Sequence, residues 1–473
     1  MIIRAVTAVV GILAGLPAAA VAQCDTQRLT RPWDEVPHFG IVTEIEAGRL
    51  FIAAPHAWTG CSTPDPFSCA AGATYVYERA GDRWVLQQMI TPFDIDVFDF
   101  FGMFDVHGDR MLISSAATAF VTQPGQIHDF RYNPDLGQWV EHDRIQAHVT
   151  GPPDPTYPGV GRPSWSTSLL LFRFGDDIQR FIEDDEGSWE YRETISPPDG
   201  MERANFADAI EVNEDWVVFN APLDSTFGDR LGSVYVYRRN PDDSIEFFQK
   251  LLPVRGPGPE GYNRYYGTGI ALDGDRLAVG SVGVTVTVGG QGAVYVYRFD
   301  GAQWILEQEV LQADPRLGSN MGQSVDLEGD VMIVGSQRQD DRHADVFRRG
   351  PDGVWRQAAV LTPEIPNELP IWTRDFGWDV AMDGRLLAVG APGEQPSYPT
   401  SPRVRPGAIY AYDLACYECT PDLDGDGELT VFDFLTFLNA FDAADPIADL
   451  DGDGELTLFD FLAFQTAFDA GCE

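Results

Sequence analysis

The sequence predicts an all-β chain built as a seven-bladed β-propeller, followed by a small C-terminal helical module. Three observations carry the propeller: a repeated two-strand phrase, a second phrase that follows it, and the constant spacing of the copies. The first phrase is "YYGTGIALDGDRLAVGS", Tyr265 to Ser281. Near-copies are "HFGIVTEIEAGRLFIAAP" from His38, "FFGMFDVHGDRMLISSA" from Phe100, "NFADAIEVNEDWVVFNAP" from Asn205, "NMGQSVDLEGDVMIVGS" from Asn320 and "DFGWDVAMDGRLLAVGAP" from Asp375. Each reads as a short apolar strand, a tight polar turn and a second apolar strand. The second phrase appears as "ATYVYERAGDRWVLQQM", "SVYVYRRNPDDSIEFFQ" and "AVYVYRFDGAQWILEQE", and more weakly as "HADVFRRGPDGVWRQAA" and "GAIYAYD". Its β-branched and aromatic runs, bounded by turn residues, predict a second hairpin, so each unit has four antiparallel strands.

Spacing counts the units. Gly267, Gly322 and Gly377 are 55 residues apart, and Gly102 precedes Gly267 by 165, three such steps. One of those steps is the unit at Asn205, so another must lie between Thr150 and Pro198, where only a final strand, "GSWEYRETISP", is easily seen. With the copy at Gly40 the total is seven, the signature of a propeller. The seventh unit stops after "GAIYAYDL" and lacks the Trp-containing last strand of its siblings, while the amino-terminal "TQRLTRP" resembles the ends of those strands. A strand from the start of the mature chain is therefore expected to complete the last blade and remove an open edge.

The Asp273-Gly274-Asp275 triplet reads as a hairpin tip, a two-residue loop centred on Asp-Gly in which glycine accepts positive φ. Sibling turns read Ala47-Gly48, His107-Gly108, Asn213-Glu214, Glu328-Gly329 and Asp383-Gly384, too varied for a set of metal ligands. Gly267 and Gly269 precede no helix and make no dinucleotide fingerprint.

With 473 residues and 44% apolar content the chain can bury a large core. Residues 1–22 carry one early Arg4, a short apolar run and small residues at Ala20 and Ala22, which predicts a cleaved signal peptide and a secreted or cell-surface protein with no transmembrane segment in the mature chain. Six cysteines in such a chain favour disulfides over zinc. Cys61 and Cys69 are expected to pair, and Cys24, Cys416, Cys419 and Cys472 to clasp termini and module borders with open connectivity. The formal charge of −41 arises from 73 acidic and 32 basic residues, Lys250 being the sole lysine. Such a field repels nucleic acid and anionic lipid and favours cations.

The pattern "FG…V…DGDRLAVGAP…GAVYVY" resembles FG-GAP repeats of bacterial surface proteins and the integrin alpha-subunit head. The resemblance covers about Gln27 to Leu414, within a propeller domain set at 24–414, and implies a seven-bladed binding platform; these units lack the spaced aspartates of the integrin calcium loop. Alternating strands put tight turns on one face and longer connections on the other. Trp58, Trp372, Tyr262 and Tyr265 lie in or beside those connections and are expected either to grip a polysaccharide or protein ligand or to cap the blades.

After a linker at 415–421 the triplet returns in "DLDGDGELTVFD" from Asp422 and "DLDGDGELTLFD" from Asp449, 27 residues on. Oxygen donors fall at loop positions 1, 3, 5, 9 and 12: Asp422, Asp424, Asp426, Thr430 and Asp433, then Asp449, Asp451, Asp453, Thr457 and Asp460. Gly427 and Gly454 take position 6, and Glu428 and Glu455 would offer backbone carbonyls at position 7. Crowded carboxylates without a Lys or Arg among them predict two Ca²⁺ sites. Prolines at 421 and 446 exclude entering helices, leaving the exit helices "TVFDFLTFLNAF" and "TLFDFLAFQTAF". Duplicated EF-hand-like calcium loops with exit helices alone are similar to type I dockerin modules, here 422–473, and the closing "DAGC" to the Gly-Cys-ended variety. The resemblance implies attachment to a cohesin-like or envelope protein. Val431, Phe432, Leu458 and Phe459 stand at the family's partner-contacting positions, where hydroxyl or basic residues are usual, which argues for a different partner surface.

The expectation is an exported, calcium-binding, non-enzymatic protein: a recognition propeller tethered by its tail to an extracellular assembly. The alternative is a polysaccharide-degrading lyase or glycoside hydrolase on the same scaffold. Against it stand the absence of nucleophile-elbow and zinc-protease motifs and a count of seven scattered histidines.

Overall fold

The structure, a computed structural model, describes residues 26–30, 39–57, 71–81, 83–91, 100–115, 125–149, 160–175, 177–199, 205–254, 264–337, 343–363, 371–372, 375–396, 406–414, 421, 423, 429–443, 445, 448, 450 and 456–470. Among them the strands pair into seven four-stranded sheets, one per repeat, and one small two-stranded ribbon. Blade 1 comprises Thr43–Glu46, Arg49–Ala54, Ala73–Ala80 and Arg83–Ile90. Blade 2 comprises Met103–His107, Arg110–Ser115, Gln126–Asn133 and Gln138–Gln146. Blade 3 is the unit that the spacing required: it runs from Val160–Ser166 to Trp189–Ile195, its last strand the one already visible in sequence. Blades 4, 5 and 6 begin at Ile210–Val212, Tyr266–Asp273 and Met321–Glu328 and end at Ile245–Leu251, Trp304–Val310 and Trp355–Leu361. The innermost strands contact one another in sequence around the ring, the last against the first.

Blade 7 takes Val380–Asp383, Leu386–Ala391 and Ala408–Asp413 from the end of the repeat region and its outermost strand, Gln27–Leu29, from the start. The pairing is antiparallel, with Gln27 opposite Ala411 and Leu29 opposite Ile409. This is the expected closure, and side chains reinforce it. Gln27 donates from Nε2 to the Trp84 carbonyl (2.9 Å) and accepts the Trp84 N–H (2.6 Å). Gln88 does the same to Trp139, Gln249 to Trp304 and Gln308 to Trp355. Gln88, Gln249 and Gln308 thus each clip the next blade, and Gln27 clips blade 7 to blade 1 in the same manner.

The two sequence phrases travel together because they meet across blade junctions. In blades 1, 4, 5 and 7 the glycine before the third strand lies against the backbone of the next blade's first phrase: a Cβ on Gly232 would meet the Tyr266 carbonyl oxygen at 2.1 Å, and one on Gly292 the Met321 oxygen at 2.2 Å. No larger residue fits without moving backbone. The core is distributed likewise between blades, as where Leu29 and Ile409 of blade 7 pack with Ile52 and Tyr75 of blade 1.

The turn reading needs one correction. Asp273 pairs with Arg276, so the two loop residues are Gly274 and Asp275. The same one-residue offset holds at Gly108, Gly329 and Gly384, with φ of 59°, 57° and 56°, whereas the Ala47-Gly48 turn is as expected with φ of 51° and 72°. A loop needing positive φ only at its first residue places glycine first, which is the II′ rather than the I′ pattern.

Two helices, Val431–Asp442 and Leu458–Ala470, occupy the expected exit segments. They share a small core of Phe437, Ala440, Ala448 and Phe464, with the Phe437 and Phe464 rings stacked at 4.6 Å. Among the described residues no helix is long and apolar enough to cross a membrane.

Candidate functional site

The propeller axis holds a cavity of about 740 Å³ lined by the innermost strand of every blade. Because successive strand residues point to opposite faces, one set from each strand enters this channel. The charged members include Glu44, Asp105, His107, Arg162, Glu211, Asp326 and Asp379. Several of these also bind blade to blade. Glu44 accepts the Val106 N–H (2.8 Å), Asp105 the Trp165 N–H (2.9 Å), Asp326 the Met382 N–H (2.7 Å) and Asp379 the Thr43 N–H (2.7 Å). Arg162 pairs with Glu44 and donates from Nε to the Phe104 carbonyl at 2.9 Å.

The channel's electrostatics follow from this crowding. Burial raises Glu44 well above the usual carboxylate range, against the opposing pull of Arg162. It raises Asp326 to about 6 and Glu211 to about 8, so Glu211 carries a proton at neutral pH. Burial would lower His107, but Asp105, with Glu44 and Glu46 behind it, raises it to about 9. The channel therefore presents both proton-donating and proton-accepting oxygen to water or a ligand.

A second ring of carboxylates lies at the hairpin tips. Asp273 accepts the Gly329 N–H (2.7 Å), Glu328 the Gly384 N–H (2.7 Å), Glu46 the Gly108 N–H (3.0 Å) and Asp383 the Gly48 N–H (3.2 Å). The propeller's triplet thus gives its first aspartate to a bond with the neighbouring blade's turn.

In the tail, four of the twelve expected ligand residues are described. Thr430 caps the first helix, accepting the Phe432 N–H at 3.1 Å, and Asp433 accepts the Thr430 N–H at 2.7 Å, a reciprocal capping box. Thr457 caps the second through the Phe459 N–H (3.1 Å), while Asp460 accepts from Thr457 (2.6 Å) and Leu450 (2.9 Å). Asp433 and Asp460 are both 0% exposed. Asp422, Asp424, Asp426, Glu428, Asp449, Asp451, Asp453 and Glu455 lie outside the described residues, as do all six cysteines, Trp58 and Tyr262. Among the described residues no group of three or more His, Cys, Asp or Glu is placed to hold a metal. The outer surfaces of the two helices repeat each other: Val431, Phe432 (63% exposed) and Leu435 on one, Leu458, Phe459 (60%) and Leu462 on the other.

On the connection face, Tyr265 has φ of 63° and its hydroxyl accepts from Arg230 at 3.4 Å, while Trp372 belongs to a short ribbon pairing Ile371–Trp372 with Gln395–Pro396 rather than to an open loop. Sequence reading missed the channel residues and the second phrase of blade 2, "GQIHDFRYNPDLGQWV", where histidine replaces the usual tyrosine. Aligning that phrase with "AVYVYRFD" supplies the signal.

No family model matches the sequence, and no curated protein does. Solved structures with a similar course of chain include a protein of Bacteroides uniformis provisionally named a 6-phosphogluconolactonase (10% identity, TM-score 0.46, 69% of this chain and 86% of that one). Others are a periplasmic gluconolactonase of Pseudomonas aeruginosa (13%, 0.44, 69% and 85%) and Hsv2 of Kluyveromyces lactis (13%, 0.44, 78% and 96%). At these values the likenesses carry no inference about activity.

Proposed function

We propose that the protein is an exported recognition module whose FG-GAP-type propeller presents a ligand-binding face and whose dockerin-like tail, folded around two Ca²⁺ ions, anchors it to a cohesin-like or envelope protein. The observation that carries this reading is the duplicated apolar surface of the two terminal helices. Large hydrophobic side chains exposed in matching pairs cost solvation and are retained where a partner covers them. Asp433 and Asp460, fully buried at the helix starts of a tail without Lys or Arg, stand at position 12 of the two loops, where a carboxylate closes a calcium site. Asp422, Asp424 and Asp426, and Asp449, Asp451 and Asp453, would supply the remaining carboxylate oxygen, with Glu428 and Glu455 giving carbonyls. Calcium there is structural: it holds the loops that set the start of each helix.

The test is capture by the immobilised full-length chain from envelope and secreted fractions, with calcium and with chelator. Calcium-dependent retention of one defined protein, lost when Phe432 and Phe459 are both changed to Asp, supports the reading. Retention that ignores calcium and both substitutions contradicts it.

A further inference from the structure

We propose that Ser115, His128 and Glu141 form a serine-type acyl-transfer site at the connection end of blade 2, hydrolysing small carboxylic esters. Ser115 Oγ lies 3.1 Å from His128 Nε2, and His128 Nδ1 lies 2.8 Å from Glu141 Oε1. This is the order of nucleophile, base and orienting acid that acyl transfer requires, and it is recognised by geometry rather than by fold or chain position. Arg144 fixes the acid in turn, donating Nε to Oε1 (2.5 Å) and Nη2 to Oε2 (3.1 Å). The edge of His128 meets Phe101 with ring centroids 5.2 Å apart, which leaves the imidazole little freedom to rotate. Burial would raise Glu141, but hydrogen bonds from His128 and Arg144 outweigh it and lower the carboxyl to about 2, so the acid stays ionised at neutral pH.

The repeats supply an internal comparison. Strand register places His128 where blades 1, 4, 5 and 7 carry Tyr75, Tyr235, Tyr295 and Tyr410. The same register places Glu141 where blades 1, 4 and 5 carry Leu86, Phe247 and Leu306. A tyrosine over an apolar residue is therefore sufficient to build a blade, and blade 2 departs at both positions together. Blade 6 also departs, but there Asp345 accepts directly from Ser336 (3.0 Å) and Gln357 (2.8 Å), with no base between hydroxyl and acid. Ser115 ends its strand and is 8% exposed against 3% for His128, so the nucleophile is less enclosed than its base, and only a small acyl group can approach it.

In the reaction Ser115 Oγ bonds to the ester carbonyl carbon while its proton passes to His128 Nε2. Collapse of the adduct breaks the carbon–oxygen bond to the alcohol, which leaves with that proton. Water then attacks the acyl-serine and gives a proton to Nε2. The acid departs and Ser115 recovers the proton, while Glu141 balances the imidazolium in both halves.

The test uses the full-length protein with a fluorophosphonate probe, mapped by mass spectrometry, and with p-nitrophenyl acetate. The expected results are an adduct on Ser115 and none on Ser336, and turnover that Ser115→Ala lowers by about 100-fold or more. His128→Tyr, which installs the residue of four sibling blades, keeps the circular dichroism spectrum yet abolishes the adduct. Glu141→Gln lowers kcat with KM little changed. A folded wild-type chain that leaves Ser115 unlabelled, or hydrolysis that survives Ser115→Ala, overturns the proposal.

Discussion

A single carboxyl group shows how the channel's chemistry should register in solution. Burial raises Glu211 from 4.5 to about 8, so between those values the folded chain holds a proton that the unfolded chain has released. Stability must therefore fall as pH rises through that interval. His107 acts in the same sense: its contribution is complete below its ordinary 6.5 and is lost as pH climbs through about 9. Thermal melting across this range should show the wild-type chain weakening toward alkaline pH and Glu211→Gln following a flatter curve; identical curves would refute the assignment. The glutamine clips give a second prediction. Gln88→Ala removes two bonds to the Trp139 backbone and should cost about 1–3 kcal/mol, whereas Asp273→Ala removes one bond at an exposed turn and should cost about 0.5–1.5 kcal/mol. Urea midpoints at unchanged slope measure both, and a larger loss for Asp273→Ala would contradict the ranking.

At the scale of strands and helices, the amino-terminal strand makes the clearest prediction. Deleting residues through Leu29 removes the outer strand of blade 7 together with Gln27, exposing an edge beside Ala408–Asp413. The truncated chain should melt several degrees lower and associate with itself, read by light scattering; unchanged melting and a monomeric profile would speak against closure by this strand. Much at this scale was legible beforehand, because strand alternation and turn chemistry are local. The missing third unit followed from spacing, and the closing strand from its likeness to "LQQMITP". What escaped was anything decided across a junction. Whether Asp273 or Gly274 opens the turn depends on register with the partner strand, and the service of Asp273 to Gly329 depends on the neighbouring blade. Glu44, Arg162 and Glu211 converge only when seven strands share an axis, and no window of sequence contains that. Thr430 and Thr457, expected as calcium ligands at loop position 9, serve as helix caps, a role their place before "VFDF" and "LFDF" made readable.

The whole molecule joins a ring whose hairpin-tip carboxylates accept backbone N–H groups across blade junctions to a tail whose sequence crowds acids into two short loops without a Lys or Arg. In the propeller, Asp273, Glu328, Glu46 and Asp383 spend their charge on backbone N–H groups of the next blade. In the tail, spaced acids crowd loops without a basic residue, and the two that are described are fully buried at the helix starts. Calorimetric titration of the full-length protein with calcium tests this contrast most directly. The account predicts uptake of two Ca²⁺ ions per chain, with Asp433→Ala and Asp460→Ala each removing one and the propeller's melting transition unchanged. No heat of binding, or uptake that survives both substitutions, would contradict it.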